Sequence, residues 1–207
     1  MAVLQFEFDP IKLGQALAYL SSGVRDLTKL KAAKLLYFAD QRHFVTHGRP
    51  IVGDRYYCLD HGPVPSASLN AMNDLLNPER VKVAGKTLEH PMSKVLAEYL
   101  VVDRKGPHPR LSARVPTAKL DALTATERDA LDWTMATYGK WSAGRLIDET
   151  HRERPWFVAN SARAAGSSVE IPWESFLESA DPDVLEHIEA HQESDAFVRA
   201  LRKSAQR

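Results

Sequence analysis

The stretch Asp26–Val45, DLTKLKAAKLLYFADQRHFV, decides how the chain is read. Its middle, Leu35-Leu36-Tyr37-Phe38-Ala39, is an unbroken apolar run. At roughly 100° per residue such a run points to every side of a helix, and a helix apolar all round is buried. It is too short to span a membrane, which takes ~20 apolar residues. A buried strand is the other reading. The strong helix formers just before it (Leu30, Lys31, Ala32, Ala33, Lys34) favour a helix. Thr28 or Asp26 can cap its start, and Gly48 followed by Pro50 can stop it. The other elements are expected to wrap around this helix.

Outward from this centre, Asp9-Pro10 starts a preceding helix striped by Leu13, Ala16, Leu17 and Leu20 and ended by Ser21-Ser22-Gly23. The pair is no helix-turn-helix reader, because the second helix is too apolar for a recognition helix. Arg55–Leu59 reads as an aromatic strand. His61-Gly62-Pro63-Val64-Pro65 reads as a rigid loop, and Ser66 or Ser68 as the cap of a helix closed by Asn77-Pro78. Val81–Val83 and Glu98–Val102 look like strands, Pro91–Leu96 like a short helical turn, and Leu111–Val115 like a returning hairpin partner. Thr124–Glu127 fits a capping box for a helix with Leu131, Met135 and Tyr138 on one face, and Gly139 suits a left-handed C-terminal residue. Ser142 caps a shorter helix ending in Thr150–Phe157. Ala159–Ser168 reads as a loose linker, Pro172 opens a short helix, and Asp181-Pro182 opens a last one to about Leu201. The fold expected is α+β: a mainly helical single domain with a buried central helix and a small antiparallel sheet. Residues 1–158 form the domain, 159–170 a linker, and 171–207 an acidic helical extension packing on the domain or on a partner.

The 207 residues suit one domain, and 44% apolar content gives a sizeable core. With 27 basic and 27 acidic residues the formal charge is zero, so nucleic acid is not an expected partner. The charge is unevenly spread. Arg80–Lys119 holds nine Lys/Arg and three Asp/Glu, whereas Ile171–Asp195 holds eight Asp/Glu and no Lys/Arg. These are two solvated faces, or an acidic arm for a basic partner. The single cysteine, Cys58, excludes a disulfide framework within the chain and a site of several thiolates. No signal peptide is apparent, so the expected location is the cytoplasm, without membrane contact.

No catalytic set emerges. His43 and His47 share a helical face at i, i+4, but a zincin needs Glu after the first His and Phe44 stands there. With Asp54 and His151 they form the strongest case for a metal-dependent hydrolase, kept as an alternative. Cys58, flanked by Tyr57 and Leu59, reads as an inert buried thiol. No nucleophile elbow, phosphate loop or dinucleotide fingerprint occurs. No metal, cofactor or catalytic residue is therefore assigned, and the protein is not expected to be an enzyme. His151 and Pro155-Trp156 form a compact cluster at a helix end, either core packing or a partner anchor.

Taken together, Lys34–Asp40, Gly48–Ile51, Gly53-Asp54, Tyr56 and Gly62-Pro63-Val64 resemble the first block of the Panacea domain. This is the SocA-like antitoxin domain, also found in phage-associated GepA-like proteins. Leu123-Thr124, Tyr138-Gly139, Ser142, Leu146, Thr150-His151 and Pro155-Trp156 resemble its second block. The likeness spans Ile11 to Val158. It implies the antitoxin of a type II toxin–antitoxin module, which neutralises a toxin encoded beside it by direct binding and needs no cofactor. One described member resembles an adaptor delivering its toxin to the ClpXP protease, so an ATP-dependent protease is an alternative second partner. No added N-terminal DNA-binding domain is evident, and operator binding is not expected. The partner-binding residues expected are Arg42, His43, Asp54, Tyr56, Gly62 and Pro63 on one edge, with His151 and Trp156 second. The acidic extension is a further candidate contact for the toxin.

Overall fold

In the computed structural model, residues 4–77, 82–83, 86–87, 91–180, 183–186, 188 and 190 are described. The central helix, α2 (Lys29–His47), follows α1 (Pro10–Gly23). The Asp9 carboxylate accepts from the Ile11 and Lys12 amides at 2.9 and 3.0 Å, and Pro10 fills the first helical position, where no amide hydrogen is needed. Thr28 caps α2 through the Lys31 amide. Gly48 ends it in the left-handed conformation, φ 71°, with its amide donating to the Phe44 carbonyl. Every residue of α2 from Lys31 to Asp40 is buried. A short helix is enclosed on all sides only if other elements surround it. Here α1, α3 (Ser66–Leu76), α5 (Ala125–Tyr138), α6 (Ala143–Arg152) and a 3-10 helix (Trp173–Ser179) do so.

A three-stranded antiparallel sheet lies against this bundle in the order β2 (Gly62–Pro65), β1 (Tyr56–Leu59), β7 (Val169–Ile171). The register pairs Tyr56 with Pro65 and Ile171, and Cys58 with Pro63 and Val169. The sequence suggested a rigid loop at Gly62–Pro65; it is the edge strand instead. Prolines are tolerated there because the outward row of amides needs no partner. The hairpin β5 (Leu100–Asp103) and β6 (Arg110–Ala113) forms where the returning partner is expected, and β3 (Lys82–Val83) pairs with β4 (Lys86–Thr87). The helical turn at Pro91 is longer than read, forming α4 (Pro91–Tyr99). The fold is therefore α+β, mainly helical, with a buried central helix and small antiparallel sheets.

Three local readings are corrected. Neither Ser66 nor Ser68 caps α3; Asp54, distant in sequence, accepts from the Ala67 and Ser68 amides at 3.0 and 2.7 Å. Gly139 is right-handed (φ −58°). It is needed because a Cβ there would meet the Met135 carbonyl oxygen at 2.5 Å. The stretch after His151 is a separate helix, α7 (Arg154–Ser161), and the chain beyond it returns as β7. The expected capping box of α5 forms in full, with Thr124 accepting from the Glu127 amide and Glu127 accepting from the Thr124 amide. After β7, Trp173 and Phe176 bury against Phe44, Tyr56 and Phe6. Of the expected last helix, Val184 and Ile188 are buried, and the run from 191 lies outside the described residues.

Candidate protein-binding surface

Polar side chains inside the fold tie loops to α2. Asp40, fully buried, accepts from the Ile51 amide (2.9 Å), the Val52 amide (3.2 Å) and the Tyr56 hydroxyl (2.9 Å). Burial raises its pKa to about 7 against the pull of those three donors. Lys34, also fully buried, donates to the Pro63 carbonyl at 2.9 Å and among the described residues forms no ion pair, and burial lowers its pKa to about 7. Gly62 lies over it at φ 90°, and a Cβ there would come within 2.5 Å of Lys34 Nζ and Thr150 Oγ1. Buried Glu127 binds Lys12 at 2.6 Å and Arg49 at 2.9 Å, joining α1, the loop after α2 and α5.

The eight expected contact residues fall into four places. His43 is buried. Its Nδ1 faces the Arg49 carbonyl at 2.7 Å and so carries the hydrogen, while Nε2 accepts from the Thr126 hydroxyl at 3.1 Å. Burial lowers its pKa to about 4, keeping it neutral. Asp54, Tyr56, Gly62 and Pro63 are likewise buried around the β1–β2 hairpin. His151 stacks on Trp156 at 3.9 Å, and the indole N–H donates to the Leu59 carbonyl at 3.3 Å, so this pair backs the sheet. Arg42 alone among the eight is exposed, and it points elsewhere: its guanidinium lies 5.0 Å from the Trp133 ring centre.

That contact opens onto a surface which sequence reasoning passed over. Phe38 in the core stacks on half-buried Tyr138 at 4.1 Å. Tyr138 in turn meets Trp133 and Trp141 edge-on, at 5.6 and 5.0 Å. Trp133 is 38% exposed, and the Arg145 guanidinium lies 3.6 Å from the Trp141 ring centre. A ladder of rings thus runs from the centre of the fold to a ledge where two arginines cover two tryptophans. The signal lay in residue type, since tryptophan and arginine are enriched at the energetic centres of interfaces. Their mutual approach depends on how α2, α5 and α6 pack and cannot be read from spacing.

His43 and His47 do come together, with ring centres 4.7 Å apart, but both nitrogens of His43 are engaged within the protein. Among the described residues no group of three or more His, Cys, Asp or Glu side chains is arranged to hold a metal ion. Cys58 is buried, and burial pushes its thiol pKa up, away from the thiolate that a nucleophile needs. No helix among the described residues is long and apolar enough to cross a membrane.

The family described as "Antitoxin SocA-like, Panacea domain" matches residues 33–157, more than half of the chain. The chain belongs to the SocA-like Panacea family. No curated protein and no solved structure matches it. Membership points to an antitoxin-type, non-enzymatic role with a protein as partner. The Panacea match takes in the polar frame around Asp40 and the ledge from Arg42 to Arg145. The strand β7 and the 3-10 helix lie beyond it.

Proposed function

We propose that this Panacea-family chain is the antitoxin of a type II toxin–antitoxin module and acts in the cytoplasm, neutralising the toxin encoded beside it by direct contact. The observation that carries this reading is the ledge of Trp133, Tyr138 and Trp141 with Arg42 and Arg145, set within the family match. Its rings are already held by one another and by Phe38, so association orders few further side chains. In this reading His43, Asp54, Tyr56, Gly62 and Pro63 serve from beneath as the frame that fixes the ledge and the hairpin, while His151 and Trp156 brace the far side. A formally neutral chain suits a protein partner better than nucleic acid.

Co-expression tests it. The neighbouring gene alone should arrest growth, and this chain should restore it. The double variant Trp133→Ala/Trp141→Ala should fail to restore growth while keeping its far-ultraviolet dichroism and cooperative melting. A harmless neighbouring gene, or full rescue by the double variant, sinks the reading. Pulse-chase of the toxin adds the mechanism: direct neutralisation leaves its lifetime unchanged, whereas a shortened lifetime assigns the adaptor role.

A further inference from the structure

Beside Trp141 the surface folds into a groove of about 610 Å³, between the end of α1, the start of α2 and the α5–α6 turn. Its cations are Arg25, Lys31 and Lys140; its one carboxylate is Asp26. Asp26 is engaged by Arg110 at 3.2 Å. Arg25 and Lys140 are exposed, and among the described residues neither forms an ion pair. Lys31 lies at the floor, donating to the Gly139 carbonyl at 2.7 Å. It thereby occupies the carbonyl that α5 would otherwise turn towards the groove. Ser142 and Ala143 bring the start of α6 to the wall, where the positive end of a helix favours anions. The Trp141 ring supplies an apolar flank. The groove is thus positive in a chain of zero formal net charge, and it continues the ledge.

Resting on the reading of the ledge as the toxin contact, we infer that this groove receives an acidic segment of the partner protein. Its carboxylates lie against Arg25, Lys140 and the α6 N-terminus, and one apolar side chain lies on Trp141. A nucleic acid is the weaker fit: Arg25 and Lys140 neutralise few phosphates, and the formal net charge of the chain is zero.

The probe is a short fluorescent peptide of alternating Glu and Phe, with a Lys/Phe peptide and a single-stranded oligonucleotide beside it. The acidic peptide should bind, quench tryptophan emission, and weaken as salt rises. The double variant Arg25→Glu/Lys140→Glu changes exposed side chains only. It should keep its fold and bind the acidic peptide about tenfold more weakly. The acidic peptide should also slow association with the toxin. No binding at low salt, equal binding by the double variant, or tighter binding of the oligonucleotide overturns the inference, whatever co-expression reports. A harmless neighbouring gene overturns the antitoxin reading instead, so the two failures are told apart.

Discussion

Lys34 and Arg42 belong to one helix and meet opposite fates. Lys34 is sealed under the β1–β2 hairpin, donates a hydrogen bond to the Pro63 carbonyl and has its pKa lowered to about 7 by burial. Arg42 stands in solvent over an indole ring. The same contrast separates Trp156, backing the sheet through the Leu59 carbonyl, from Trp133, 38% exposed on the ledge. Residue type alone does not divide the frame from the surface. For Lys34 and Trp156 the inward course goes with a backbone carbonyl that accepts from the buried donor, since an interior group without a partner costs far more than a surface group.

The contrast breaks most sharply at Asp40. Asp40→Ala strands two amides and a hydroxyl at once, and a loss of ~3–5 kcal/mol is expected in urea unfolding at pH 7. A loss below about 1 kcal/mol would mean that the clasp between α2 and the Ile51–Tyr56 segment is not part of the frame.

Next comes Lys34, through pH. Its pKa falls from 10.5 to about 7 on folding, so between those values the unfolded chain binds the proton and the folded chain does not. Stability contributed by this group therefore rises as pH increases from about 7 to about 10, on the order of 3 kcal/mol. Lys34→Met should flatten that rise in melts taken across the window, and an unchanged slope would place the lysine in water. Smallest is Arg42→Ala. It should shift stability by no more than about 0.5 kcal/mol, because an exposed cation–π contact is worth little. Its effect should appear in toxin affinity instead. A large stability loss would move Arg42 into the frame and erase the contrast.

How much of this was legible follows from the range of each interaction. The cap by Asp9, the Thr124–Glu127 box and the buried run of α2 rest on neighbours three or four residues apart, and sequence spacing carries them. The Asp54 cap of α3 spans 13 and 14 residues, so a nearby serine was the natural but mistaken choice. The pairing of β7 with β1 brings together residues far apart in the chain, across a stretch too small and polar to announce a strand. Among the candidate contacts, Arg42 was visible as a charge after an apolar run. Its partner Trp133 belongs to another helix and was not.

The two prolines of β2 have one more consequence. Pro63 and Pro65 share a parity along the strand, so the bonds that join β2 to β1 fall to Gly62 and Val64, and the free border of the sheet exposes no amide hydrogens at the proline positions. One of its carbonyls, that of Pro63, is already claimed by Lys34. A foreign strand finds no amide hydrogen to accept from at either proline. Recognition by backbone lamination is closed on that flank, which also guards the molecule against stacking with its own copies.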